Sequence, residues 1–129
     1  MTPFGARLRQ MRRDRGVTLS AMAAQLKVSP AYISALEHGR RGRPTFAMVQ
    51  AIIGFFNVIW DEAEELQRLA ALSDPRVTVD TAGLSPKATR LANRIARDIH
   101  RFDETTLDAL EAVLEQRTRK PRQRGAQGQ

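Results

Sequence analysis

Apolar residues recur at helical spacing from the first few positions of the chain. Phe4, Leu8 and Met11 fall at i, i+4, i+7, with Arg12 beside them, and "DRG" closes that helix at Gly16. Thr18 is an N-cap for a short helix whose Leu19, Met22, Ala23 and Leu26 turn inward. "KVS" is a tight connection to a third helix. Ser29 caps that helix, Pro30 takes its first position, where a missing N–H costs nothing, Ile33 and Leu36 form its buried ladder, and Gly39 ends it. A fourth helix, opened by Pro44 or Thr45, carries Phe46, Val49, Ile52, Ile53 and Phe56. A fifth follows Asn57, with Asp61 as its candidate cap, Leu66, Leu69 and Leu72 inward, and Trp60 read as core.

"SDPRVTVDTAGLSP", Ser73 to Pro86, breaks the pattern with two prolines and a glycine, and holds a short extended candidate at Val77–Val79. Two amphipathic helices come after it. The first is capped by Ser85 and striped by Leu91, Ile95 and Ile99; the second is capped by Asp103, with Leu107, Leu110, Val113 and Leu114 inward. "RTRKPRQRGAQGQ" has no apolar side chain larger than alanine and reads as a disordered basic tail. The expected organisation is all-α: a five-helix domain at 1–73, a linker at 74–84, a helical pair at 85–117 and the tail at 118–129. Two helices alone bury little. The pair is therefore expected to dock either on the first domain or on another chain, the latter giving a homodimer.

Composition narrows the class. In 129 residues, cysteine is absent, which excludes disulfides and thiolate metal sites, and no apolar run approaches the length of a membrane span. The basic N-terminus lacks the apolar core of a signal peptide, so a cytoplasmic protein with no membrane partner is expected. The net charge of +7 is uneven: nine Lys/Arg and two acids in 1–44, two and six in 45–83, ten and six in 84–129. A basic front suits a polyanion. Arg90, Arg94, Arg97 and Arg101 make a helical ridge, either a DNA flank contact or a wet face. The acidic cluster Asp61, Glu62, Glu64 and Glu65 reads as helix-dipole complementarity rather than a metal site. His38 and His100 are the only histidines, and there is no phosphate loop or paired-His spacing, so neither an enzyme nor a cofactor is expected.

Two short helices joined by a three- or four-residue turn, the second followed by "GRRGRP", form a helix-turn-helix pattern. A helix that enters the major groove of double-stranded DNA needs a face of small or hydrogen-bonding residues. Its phosphate contacts come from helix N-termini and flanking cations. Ser29–Pro44 is distributed in that way.

The segment "MAAQLKVSPAYISALEHG", with Arg12, Gly16, Thr18 and Pro44, resembles the lambda-repressor-like helix-turn-helix family of transcriptional regulators (Cro, phage-repressor and xenobiotic-response-element type), over about Phe4 to Leu72. The resemblance implies a sequence-specific regulator, a repressor acting as a homodimer on an inverted repeat. It places Ala23 where two helices cross closely, and Pro30, Ala31, Tyr32, Ser34 and Ala35 facing base edges. Thr18, Lys27, Ser29, His38, Arg40, Arg41 and Arg43 fall at the DNA backbone, and Arg12 and Glu37 form a buried ion pair between the first and third helices. Leu19 stands where the family often has glutamine, and Lys27 where it has a turn glycine, which implies an altered turn. Pro30, Ala31 and Ala35 are poor donors, so base readout falls to Tyr32, Ser34, methyl contacts and DNA shape. An antitoxin using the same domain to hold a toxin, and a protein-interaction adaptor, are the alternative functions.

Overall fold

In a computed structural model, which describes residues 1–118, every regular element is helical. The helices are α1 Pro3–Asp14, α2 Leu19–Leu26, α3 Pro30–His38, α4 Phe46–Phe56, α5 Asp61–Ala71, α6 Pro86–Asp98 and α7 Glu104–Thr118, with a 3-10 turn at Ile99–Arg101 between the last two. The chain divides into two units, Met1–Thr78 and Val79 onward. Thr118, assigned to the tail from sequence, closes α7; the rest of that tail lies outside the described residues. Val77–Val79 takes no strand conformation.

Local chemistry sets the helix boundaries of the first unit. The hydroxyls of Thr2, Thr18, Ser29 and Thr45 accept the amides of Gly5, Ala21, Tyr32 and Met48 at 3.0–3.1 Å, so α1 to α4 each begin on a side-chain cap. Their C-terminal ends repeat one device. Gly16, Lys27, Gly39 and Asn57 are left-handed, and the next residue returns its N–H to a carbonyl five positions earlier: Val17 to Arg12, Val28 to Ala23, Arg40 to Ala35, Val58 to Ile53. That reversal aims the following side chain back onto the helix it leaves. Val17, Val28 and Val58 accordingly pack on the core.

The core joins Phe4, Leu8 and Met11 of α1 to Met22 and Ala23 of α2 and to Ile33 and Leu36 of α3. Val49, Ile52 and Phe56 of α4, Val58, and Leu66 and Ala70 of α5 complete it. α3 packs on α1 and α2, and α5 on α1 and α4. Trp60 is not core: it is 79% exposed, at φ 52°, while Val58 fills the inward position after the turn. Leu72 and Phe46, at helix edges, are also exposed. Asp61 does not cap α5; it is the first helical residue, and Trp60 holds the cap position without a side-chain bond. Asp61, Glu62 and Glu64 meet the positive end of the helix dipole instead. Glu62 also approaches Arg7, and Glu65 pairs with Arg68.

In the second unit, the Ser85 and Asp103 side chains cap α6 and α7 by accepting from Ala88 and Thr106. No side chain of these helices is fully buried. Leu91, Ile95, Ile99, Leu110, Val113 and Leu114, read as inward-facing, are exposed, because an amphipathic pair has no third element of its own to cover the stripe. No described helix is long and apolar enough to cross a membrane.

Candidate nucleic-acid interface

The α2–α3 pair is positioned from beneath. Ala23, almost wholly buried, belongs to the core on α2, the helix that packs on α3. One edge of α3 is apolar and inward, through Ile33 and Leu36, and Glu37 is buried beside them. That carboxylate is matched. Arg12 Nε donates to Glu37 Oε2 at 2.9 Å and Nη2 to Oε1 at 3.2 Å, a two-point fork, while Nη1 donates to the Val17 carbonyl at 3.1 Å. The guanidinium thus ties α1, the end of α1's own turn and the last turn of α3 together.

Two glycines tighten the same junction. A Cβ on Gly5 would collide with the Glu37 backbone carbonyl, so α1 lies directly against the end of α3. Gly39 sits at φ +79° with the Thr2 methyl group against it. Ser73 fastens the far side by accepting the Phe4 amide at 2.9 Å. Sequence reasoning missed Gly5 and Ser73. A glycine in the first turn of an otherwise regular helix was the available signal for the first; a serine sixty-nine residues from Phe4 offers none.

The other side of α3 is open. Pro30, Ala31 and His38 are exposed, and Tyr32, Ser34 and Ala35 are half-exposed. Tyr32 is also partly packed on the core, so its ring is anchored rather than free. His38 Nδ1 lies 2.8 Å from the Ser34 carbonyl, which holds the imidazole along the helix. At the two N-termini, the Thr18 and Ser29 hydroxyl oxygens accept amide hydrogens, leaving each O–H available as a donor. Lys27, exposed beside them at φ 61°, adopts the backbone conformation that glycine would take with less strain.

The chain on either side of α3 is cationic. Arg40, Arg41 and Arg43 are exposed, and neither they nor Lys27 meets an acid within 4.0 Å among the described residues. The two acids of residues 1–44 are committed elsewhere: Glu37 to Arg12, and Asp14 to the side-chain amide of Gln10 at 2.7 Å. Arg15 is likewise occupied, donating to the Phe56 carbonyl at 3.0 Å and lying over the Phe56 ring. Arg41 turns back along α3, with its guanidinium carbon 4.9 Å from the centre of the Tyr32 ring. Val28, Ser29, Ala31, Tyr32, Ala35 and Arg41 together line an open concavity of about 490 Å³. In the second unit, Arg97 is drawn out of the Arg90–Arg101 ridge by a two-point pair with Asp98 at 3.0 Å. That bond and the attraction behind it hold the Asp98 carboxyl below its ordinary range. No group of three or more His, Cys, Asp and Glu suited to a metal ion occurs among the described residues.

The family model described as a helix-turn-helix domain matches residues 3–73. The chain is 36% identical over 61 residues to RghRB of Bacillus subtilis (strain 168), named as an uncharacterized HTH-type transcriptional regulator. That alignment covers 47% of this chain and 44% of the relative, so the chain spans less than half the length of the curated protein it matches. No solved structure matches.

Proposed function

Since the chain belongs to the helix-turn-helix domain family, we propose that it is a sequence-specific DNA-binding transcriptional regulator, a cytoplasmic repressor that acts by binding rather than by catalysis. The observation that carries this reading is the open face of α3. Small or hydrogen-bonding side chains occupy its centre, the exposed cations Lys27, Arg40, Arg41 and Arg43 adjoin α3 in the chain with no acid within 4.0 Å among the described residues, and the Arg12–Glu37 pair fixes the end of the helix.

The major groove admits a helix of this width, and the short side chains of Pro30, Ala31 and Ala35 let its backbone approach the bases closely. Arg40, Arg43 and Lys27 then neutralise phosphates and release counterions, which supplies much of the affinity. Thr18 and Ser29 donate to phosphate oxygens beside the α2 and α3 N-termini. Repression needs nothing more than occupancy of a promoter.

The reading includes a homodimer. The exposed stripe on α6 and α7 is the surface that supports it, because a second copy supplies the covering that the pair lacks. Two α3 helices would then address half-sites about 34 Å apart. The same stripe also favours a second reading, an antitoxin or adaptor that holds a different protein there; co-purification of a stoichiometric partner would select it.

Selection of bound sites from random duplex DNA tests the proposal. The expected product is an inverted repeat with half-sites one helical turn apart, bound about 10³-fold or more tighter than unrelated sequence. Binding that falls steeply with salt but does not discriminate between sequences would refute it.

A further inference from the structure

The three arginines after α3 do not occupy equivalent places. Arg40 and Arg43 are exposed and lie over no aromatic ring among the described residues, whereas Arg41 returns over Tyr32, nine positions earlier, and so lies along the outward side of α3. It shares one concavity with Ala31 and Ala35, which stand one helical turn apart. On the DNA-binding reading above, this is the surface that faces base edges rather than phosphates. We propose that Arg41, held by Tyr32, is a base-reading residue that recognises guanine in the major groove.

The chemistry of the pair supports that role. A guanidinium lying on an aromatic face uses its π surface for the contact and keeps its N–H donors in its own plane, free for another partner. Guanine presents two acceptors, O6 and N7, at the spacing of two parallel guanidinium N–H groups. Lysine has one point charge and no fork, so it cannot make that match. Tyr32 is half-buried against the core, which makes the platform rigid. Ordering the arginine before binding reduces the entropy lost when the base pair is met. Ala31 and Ala35 matter by their size. A longer side chain at either position would fill the concavity and keep the guanidinium away from the base edge.

The full chain and three variants, Arg41→Lys, Tyr32→Leu and Arg43→Ala, can be carried through site selection. Affinities are then measured on the selected duplex and on one with 7-deazaguanine at the preferred position, which lacks the N7 acceptor. The parent is expected to prefer guanine at one position of each half-site by about tenfold or more, and to lose that margin on the 7-deazaguanine duplex. Arg41→Lys should lose the preference at that position alone and become indifferent to the deaza substitution. Tyr32→Leu, which keeps an apolar side chain against the core, should remain folded by circular dichroism and lose most of the guanine preference. Arg43→Ala should keep the preference while binding all sequences more weakly. The proposal is overturned if Arg41→Lys keeps the guanine preference, or loses affinity for all duplexes equally, while the parent still selects a defined site; the broader DNA-binding reading then survives. A folded parent that binds no duplex overturns both.

Discussion

The Glu37 carboxylate is 2% exposed and sits on the last turn of α3, where an unpaired negative charge would be costly in the core and would repel phosphate on the surface. Two N–H groups of Arg12 meet it. Truncating Arg12 therefore removes more than a contact, since it leaves a buried charge without a partner. Arg12→Ala is expected to destabilise the first unit by about 3 kcal/mol, read as a shift in the denaturant midpoint. Replacing both residues by apolar side chains of similar volume should recover most of that loss, because the desolvation cost disappears with the pair. A midpoint unchanged in Arg12→Ala would show that the fork contributes nothing. The Arg12–Glu37 pair was legible through the family resemblance, which places the two residues opposite each other, and the fork bears it out. Gly5 was less so: its reason is the approach of a carbonyl thirty-two positions away, which exists only once α1 and α3 have packed.

Helix ends were the most legible feature of the chain. Thr18, Ser29, Ser85 and Asp103 all cap as their side-chain chemistry implies, since a cap needs only its own amide three residues on. Asp103 makes the effect measurable. The Thr106 hydroxyl and then its amide hydrogen-bond the carboxylate, holding the Asp103 carboxyl below its ordinary range. A folded-state value lower than the unfolded one means that the ionised cap stabilises α7 above the unfolded pKa of about 3.9 and that this support fades as pH falls through the lowered value. Acidification into that range is expected to weaken protection of the Thr106 amide against hydrogen exchange. Asp103→Asn, which still accepts a hydrogen bond, should keep the helix and remove its share of the pH response. An acid profile identical in the parent and in Asp103→Asn would refute this account.

The molecule as a whole combines a unit with its own core and a unit whose helices bury no side chain fully. Leu91, Ile95, Val113 and Leu114 stay in contact with water in a single chain, an arrangement that favours association. Under the proposed dimer, Leu91→Lys with Leu114→Lys should convert a dimer to a monomer in sedimentation equilibrium. The melting of the first unit should be unchanged, and operator affinity should fall by 10²-fold or more as the two half-sites cease to be held together. A parent chain that sediments as a monomer at all accessible concentrations would exclude the homodimer. The uneven charge belongs to the same picture. The basic front keeps its cations outward because its two acids are spent on internal bonds.

Element type, order and most boundaries could be read from residues alone, because caps, glycine stops and i, i+4 spacing act through neighbours within one turn. The core faces of α1 to α5 followed for the same reason, whereas the stripes of α6 and α7 face solvent because nothing in that unit covers them. Single positions at helix edges did not: a left-handed Asn57 turns the next residue, Val58, back onto α4, while Trp60, itself at positive φ, points outward, and hydrophobicity carries no sign of that direction. The separation of Arg41 from Arg40 and Arg43 was equally hidden. In the sequence they are one cationic run; folding lays one of them over the ring of Tyr32, and that contact depends on where α3 ends in space. Local chemistry chose the pieces, and the distances between remote side chains were settled only when those pieces came together.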